Sequence, residues 1–196
     1  GDALMLPANS SGTWDIHSGS VTSLNDTALG TPVAVNLGSG TTLNINGNTS
    51  IGALSGSGQT NIGIGSALSM GSSNANSLFA GMFSGDGSLT KVGGGVLELS
   101  GISTIAGSTQ VNAGTLNVTG AFNSGGVTVN NGATLTGNNI GTHLGTIGGT
   151  TIINPGGHLA GTSGSTLTFT NDLVLMPNAN VNVALAKSEN AWRMIE

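Results

Sequence analysis

Apolar residues in this chain fall at alternate positions in short clusters, and Gly, Ser, Thr and Asn separate the clusters. Leu116 and Val118 follow Val111, and Val127 and Val129 precede Leu135. A period of two is that of a strand with one face buried. No stretch of a dozen residues places its apolar side chains three and four apart. The nearest, VALAKSENAWRMIE over 183–196, lacks a helix start signal and is expected to be coil.

The clusters belong to an imperfect repeat: an apolar residue, two or three small residues, a Gly, then an alternating segment closed by Gly. The copies read VNLGSGTTLNING from Val35, IGIGSALSMG from Ile62, VGGGVLELSG from Val92, VNAGTLNVTG from Val111, VNNGATLTG from Val129, INPGGHLAG from Ile153 and LMPNANVNV from Leu175. With Gly40, Gly65, Gly95, Gly114, Gly132, Gly156 and Asn178 as markers, the spacings are 25, 30, 19, 18, 24 and 22, with a mean of about 23. Gly supplies the positive φ of a sharp corner, and Asn tolerates it best among residues with a side chain. Each unit is therefore a coil of short strands joined by corners. A lone coil loses roughly 1 to 2 kcal/mol of backbone entropy per residue, more than its four to six apolar side chains return at about 1.5 to 3 kcal/mol each. Stacking lets every strand pair with both neighbours. The expected fold is an all-β, right-handed parallel β-helix of about eight to nine coils, a rod on the order of 40 Å long at ~4.8 Å per coil.

Composition narrows the function. Gly accounts for 35 of 196 residues, and Thr, Ser and Asn for 24, 23 and 22, while charged residues are 6% and the net charge is −5. Disorder combines low hydrophobicity with high net charge, and 37% hydrophobic residues argue against it. Lys91, Lys187 and Arg193 are the whole cationic inventory, too little to neutralise a phosphate backbone, so no nucleic-acid partner is expected. No apolar run reaches the 18 or so residues of a transmembrane helix. The opening GDALMLPANSSG has no basic region followed by an apolar one, which places any export signal outside these residues. Without Cys there is no disulfide, thiolate metal site or thiol nucleophile.

Residues 50–101 resemble the autotransporter-associated β-strand repeat of passenger domains in Gram-negative bacteria, most specifically over SGDGSLTKVGGGVLELSG, residues 84–101. STQVNAGTLNVTG, residues 108–120, and GSTLTFTNDLVLMPNANVNVAL, residues 164–185, resemble later coils of such passengers. The resemblance implies a pertactin-like, type V secreted protein exported through its own C-terminal β-barrel translocator. Residues 1–196 are then a single β-helix segment of a longer passenger, without the barrel or the signal peptide, located on the bacterial cell surface or released after cleavage. Within the signature, Gly93, Gly94 and Gly95 are expected to form a corner. Val96, Leu97 and Leu99 are expected to point inward, with Lys91 and Glu98 outward.

Catalytic chemistry finds little support. Between Glu98 and Asp172 there is no charged residue, which disfavours the paired carboxylates of a glycosidase. Gly85-Asp86-Gly87-Ser88 reads as a tight turn, not a serine nucleophile. His17, His143 and His158 have no nearby carboxylate in sequence and read as loop or strand residues. No Asp follows a Gly by two positions, as a calcium-binding β-roll needs, and no phosphate-cradling Gly motif or Arg-Gly-Asp occurs. Thr134 with Thr136, and Thr166, Thr168 and Thr170, alternate as in an ice-binding ladder, but the uneven coil length disrupts the lattice such a ladder requires. No catalytic, cofactor or metal site is expected. The expected function is a non-enzymatic stalk of a surface adhesin or virulence factor. The alternative is a secreted effector that binds a host cell-surface receptor through the β-helix itself. A contact patch for either would draw on Leu78, Phe79, Met82 and Phe83, which crowd together in NSLFAGMF, and on Trp14, which alternatively caps the N-terminal end.

Overall fold

The computed structural model describes residues 12–24, 33–138 and 145–183. Among them there is no helix, and every strand pairing is parallel. The first described turn holds β1 (Gly12–Ile16) and β2 (Ser20–Ser23). Three turns of three strands follow: β3 (Val33–Leu37), β4 (Thr42–Ile45) and β5 (Thr49–Ile51); β6 (Ala53–Gly56), β7 (Gln59–Ile62) and β8 (Ala67–Met70); β9 (Ser77–Phe79), β10 (Met82–Gly85) and β11 (Ser88–Lys91). In the next two turns a short strand precedes a long one that runs through two faces: β12 (Val96–Leu99) with β13 (Ile102–Val111), and β14 (Thr115–Val118) with β15 (Ala121–Val129). Three-strand turns then resume with β16 (Thr134–Thr136), β17 (Gly145–Gly148) and β18 (Thr151–Ile153), and with β19 (His158–Gly161), β20 (Leu167–Phe169) and β21 (Leu173–Leu175). The last described strand is β22 (Asn180–Val183).

The first strands of successive turns stack into a nine-stranded sheet, face one. The second and third positions stack into faces two and three. Continuous β13 and β15 fuse these two faces into one 13-stranded sheet, with an irregularity between Ile105 and Ser108 marking the bend. The result is a three-faced parallel β-helix of about seven full turns, fewer than the eight to nine expected.

The expectation divided all 196 residues by the mean spacing, whereas the full turns are counted among the described residues; the markers, in addition, fall at unlike corners. Gly40 lies at the corner between faces one and two, and Gly65 at the corner between faces two and three, whereas Gly114, Gly132, Gly156 and Asn178 lie between face three and the next face one. Spacings of 25 and 30 thus compare unlike corners. Counted by register, Leu97, Leu116, Leu135 and Leu159 are stacked partners at intervals of 19, 19 and 24 residues. On face one the strands stay at three to five residues while the intervals between them vary.

Burial follows the alternation: β4, β7, β8, β11 and β12 each alternate half-buried and buried residues along the strand. The inward side chains stack turn on turn, Val35 with Leu54 and Leu43 with Thr60, so each turn covers the apolar surface of the one before. Phe79 and Phe83 meet across a corner with ring centroids 4.8 Å apart and planes tilted by 52°. The Phe79 ring lies against Gly81, where a Cβ would come within 2.6 Å of its Cζ.

Two corner columns hold the turns in step. Between faces one and two, Gly58, Gly81, Gly101, Gly120 and Gly145 stack directly, as their neighbours' pairing requires. A Cβ on Gly101 would collide with the carbonyl oxygen of Gly81, and a Cβ on Gly81 with that of Gly58. Between faces three and one, Asn130 Nδ2 donates to Asn112 Oδ1 at 2.6 Å and Asn154 Nδ2 donates to Asn130 Oδ1 at 2.7 Å, a side-chain ladder parallel to the axis. Beside it Gly114, Gly132 and Gly156 all take positive φ, and Asn178, with φ 63°, holds the same place in the following corner.

Candidate functional surfaces

The apolar cluster of NSLFAGMF divides between the two sides of the wall. Phe79 and Phe83 are fully buried, so neither ring can meet a partner; Leu78 and Met82 are 50% and 38% exposed. Period two explains the split, since Leu78 precedes Phe79 on β9 and Met82 precedes Phe83 on β10. Ile102, 66% exposed, lies beside Met82 in register, so Leu78, Met82 and Ile102 form an apolar strip around one corner. Sequence reading missed Ile102, although it follows Gly101 as Met82 follows Gly81. Trp14 is half-buried and packs against the core as the register partner of Val35 in the first described turn. It lies three turns from Leu78 and Met82 and four from Ile102.

Lys91 corrects an expectation. It is 2% exposed and points inward, not out to solvent. Leu89 and Lys91 are two apart on β11 and share a face; the half-buried outward residue is Thr90. The ammonium Nζ donates to the carbonyl oxygens of Val92 at 2.6 Å, Gly93 at 2.8 Å and Ala113 at 3.2 Å. It thus ties together the corners that follow two successive turns. The Gly-rich corner turns these carbonyls inward, and the lysine supplies three donors where no backbone N–H reaches. Val96 is likewise corrected to a half-buried outward position, while Leu97 and Leu99 are core and Glu98 is outward as expected.

These strands lie within a recognisable unit. Residues 89–118, from within β11 to the end of β14, match the family model described as Passenger-associated-transport-repeat. Over these residues the chain is similar to a passenger-associated transport repeat. This repeat, set in a β-solenoid, fits an autotransporter passenger domain. Comparison with curated proteins and with solved structures produced no match. The repeat family implies a linked C-terminal translocator and export to the cell surface or secretion. Among the described residues no helix is long and apolar enough to cross a membrane, which says nothing of a β-barrel.

The transport repeat also contains Glu98, whose Oε1 accepts a hydrogen bond from Thr119 Oγ1 at 3.0 Å just beyond the repeat's end. The other described carboxylates lie elsewhere. Asp15 accepts from Asn36 Nδ2 at 3.0 Å four turns away on face one, and Asp86 and Asp172 are exposed at corners. Asp86 lies in the tight turn Gly85-Asp86-Gly87, as expected. His17 is exposed, His158 is half-buried on face one beside Thr134, and His143 lies outside the described residues, as do Lys187 and Arg193. Among the described residues no three His, Cys, Asp or Glu side chains gather. Thr166, Thr168 and Thr170 are all exposed, and Thr168 stacks on Thr146.

The buried lysine of the transport repeat has a measurable signature. Burial strips water from the ammonium and lowers its pKa from the ordinary 10.5. The unfolded chain therefore keeps this proton to higher pH than the folded one. Stability rises with pH through the interval below 10.5, and the gain is complete above it. Urea unfolding at successive alkaline pH values should show this rise in the wild type and not in Lys91→Met.

Proposed function

We propose that this chain is a non-enzymatic scaffold segment of a longer Gram-negative autotransporter passenger, the β-helical stalk of a surface adhesin or virulence factor. The observation that supports it most is the match to a transport repeat over residues 89–118, set among about seven parallel turns. A solenoid of this kind adds length by adding turns, since each turn contacts only its neighbours. That is the mechanical requirement of a stalk holding a head away from an outer membrane. The proposed location is the outer face of the bacterial cell, or the medium after cleavage, with the chain's own translocator as its first partner. To test it, the chain is joined upstream of an autotransporter β-barrel, and antibody labelling of intact cells is measured. Labelling equal to that of a known passenger is expected; retention in the periplasm would reject the reading.

The effector reading is favoured by one observation, the exposed strip of Leu78, Met82 and Ile102. An apolar patch raised on a rigid corner is a recognition surface for a host protein. Saturable binding of the purified chain to cultured epithelial cells, lost in Met82→Ser/Ile102→Ser and absent from an unrelated β-helix, would favour the effector over the stalk.

A further inference from the structure

The dipeptide Asn-Gly occurs twice in the chain, at Asn46-Gly47 and at Asn131-Gly132. In this pairing an asparagine amide is open to attack by its own main chain, because the glycine that follows has no Cβ to obstruct the approach of its nitrogen. Both pairs lie at corners, the first between β4 and β5 and the second between β15 and β16. Both asparagines are exposed. Sequence alone therefore makes the two sites equivalent, and the stacking of the turns separates them.

At the second corner the following turn holds both reacting groups. Gly132 N–H donates to the carbonyl oxygen of Gly156 at 2.9 Å. Asn131 Oδ1 rests on the same glycine, in the space that a Cβ on Gly156 would need. The Gly132 nitrogen can reach the Asn131 amide only after a bond between two turns has opened. At the first corner Asn46 N–H donates to the Ser23 oxygen at 2.8 Å, which anchors the main chain just before the reacting groups. The groups themselves are not held: among the described residues the Asn46 side chain and the Gly47 N–H have no hydrogen-bond partner. Asn46 Oδ1 passes 3.1 Å from where Gly63 would carry a Cβ, a looser seat than that of Asn131.

We propose that Asn46 is a site of spontaneous deamidation in the folded protein, and that the turn stacked on Asn131 protects the second Asn-Gly pair from the same reaction. The inference goes beyond the stalk reading and does not depend on it. The Gly47 nitrogen bonds to Asn46 Cγ and gives up its proton; the Cγ–Nδ2 bond breaks, and Nδ2 leaves with that proton as ammonia. Water then opens the five-membered imide at either of its two carbonyl carbons, its hydroxyl going to carbon and its proton to nitrogen. Opening at Cγ gives aspartate, and opening at the main-chain carbonyl gives isoaspartate; nothing is oxidised or reduced. Both products place a new carboxylate at the corner between β4 and β5. Isoaspartate also routes the main chain through the side-chain carbon and lengthens that corner by one atom.

The test is incubation of the whole chain in mildly alkaline buffer, with samples digested over time and the amide-to-acid mass gain followed at each asparagine by mass spectrometry. Methylation by an isoaspartyl methyltransferase reports the rearranged product. In the folded chain Asn46 should convert at least about tenfold faster than Asn131, the factor set by one hydrogen bond that must open first. In urea, with the turns unstacked, the two rates should converge. Asn46→Gln should remove both the mass gain and the methyltransferase signal from that peptide and leave the slow conversion at Asn131 unchanged. The proposal is overturned if the two sites convert equally fast in the folded chain, if Asn131 leads, or if neither converts under conditions in which the unfolded chain does.

Discussion

Gly101→Ala is expected to destabilise the protein by about 3 kcal/mol, near the upper end of overpacking effects. Its Cβ would strike the carbonyl oxygen of Gly81, with the Ala80 oxygen 2.6 Å away. These are backbone atoms of the turn before, so no side chain can rotate aside. The two turns must part, which strains bonds such as Ser100 N–H to the Phe79 oxygen at 3.1 Å. Gly132→Ala is the control. A Cβ there meets nothing within 4 Å, and the change carries only the strain of φ 76°, roughly 1 to 2 kcal/mol. Urea unfolding of both variants should show the non-positive-φ glycine to be the more sensitive. The reverse order would mean that close stacking of the turns does not dominate at this corner.

Phe79→Ala is expected to lose about 4 kcal/mol, within the 3 to 5 typical of a buried aromatic. The ring is fully buried, packs on Phe83 and lies against Gly81. A glycine has no side chain to fill the cavity. Leu78→Ser, one residue earlier but half exposed, should change stability by no more than about 0.5 kcal/mol. Thermal unfolding of the pair separates core from surface within a cluster whose composition looks uniform. Equal losses at both positions would contradict the burial pattern.

The contrast between Leu78 and Phe79 also shows what the chain discloses about itself. Alternation makes the strands legible, and the small polar punctuation makes the corners legible, down to Asn178 standing where other corners have Gly. Inside and outside are harder to assign. A strand's facing is set by the residue at which it leaves the preceding corner, and one extra Gly reverses it. Leu78, Phe79, Met82 and Phe83 could therefore be recognised as one cluster but not divided. Turn length was obscured for a related reason, because similar Gly-containing motifs occupy all three corners.

Lys91 was misread on other grounds. A cation between Leu89 and Val92 suggests solvent, and no carboxylate partner offers a warning, because its partners are main-chain oxygens that no pattern of side chains records. The burial of Asn117 and Thr136 was hidden similarly, since both occupy ordinary outward positions on their strands and yet are 8% and 4% exposed. The passenger character was the most legible part, since the repeat rests on local spacing within 89–118 and needs no knowledge of facing.

The central claim is that position along the axis follows the number of turns, not distance along the chain. Spin labels at Asn36, Glu98 and Asn182 test it, since all three occupy one outward row of face one. Pulsed electron resonance should place Glu98 three turns from Asn36, and Asn182 seven turns from it, roughly 14 and 34 Å along the axis at ~4.8 Å per turn. Narrow distance distributions in that proportion, after allowance for the label arms, are the predicted result. A separation between the outer labels no longer than that between the inner pair, or a broad distribution for both, would contradict the stacked solenoid.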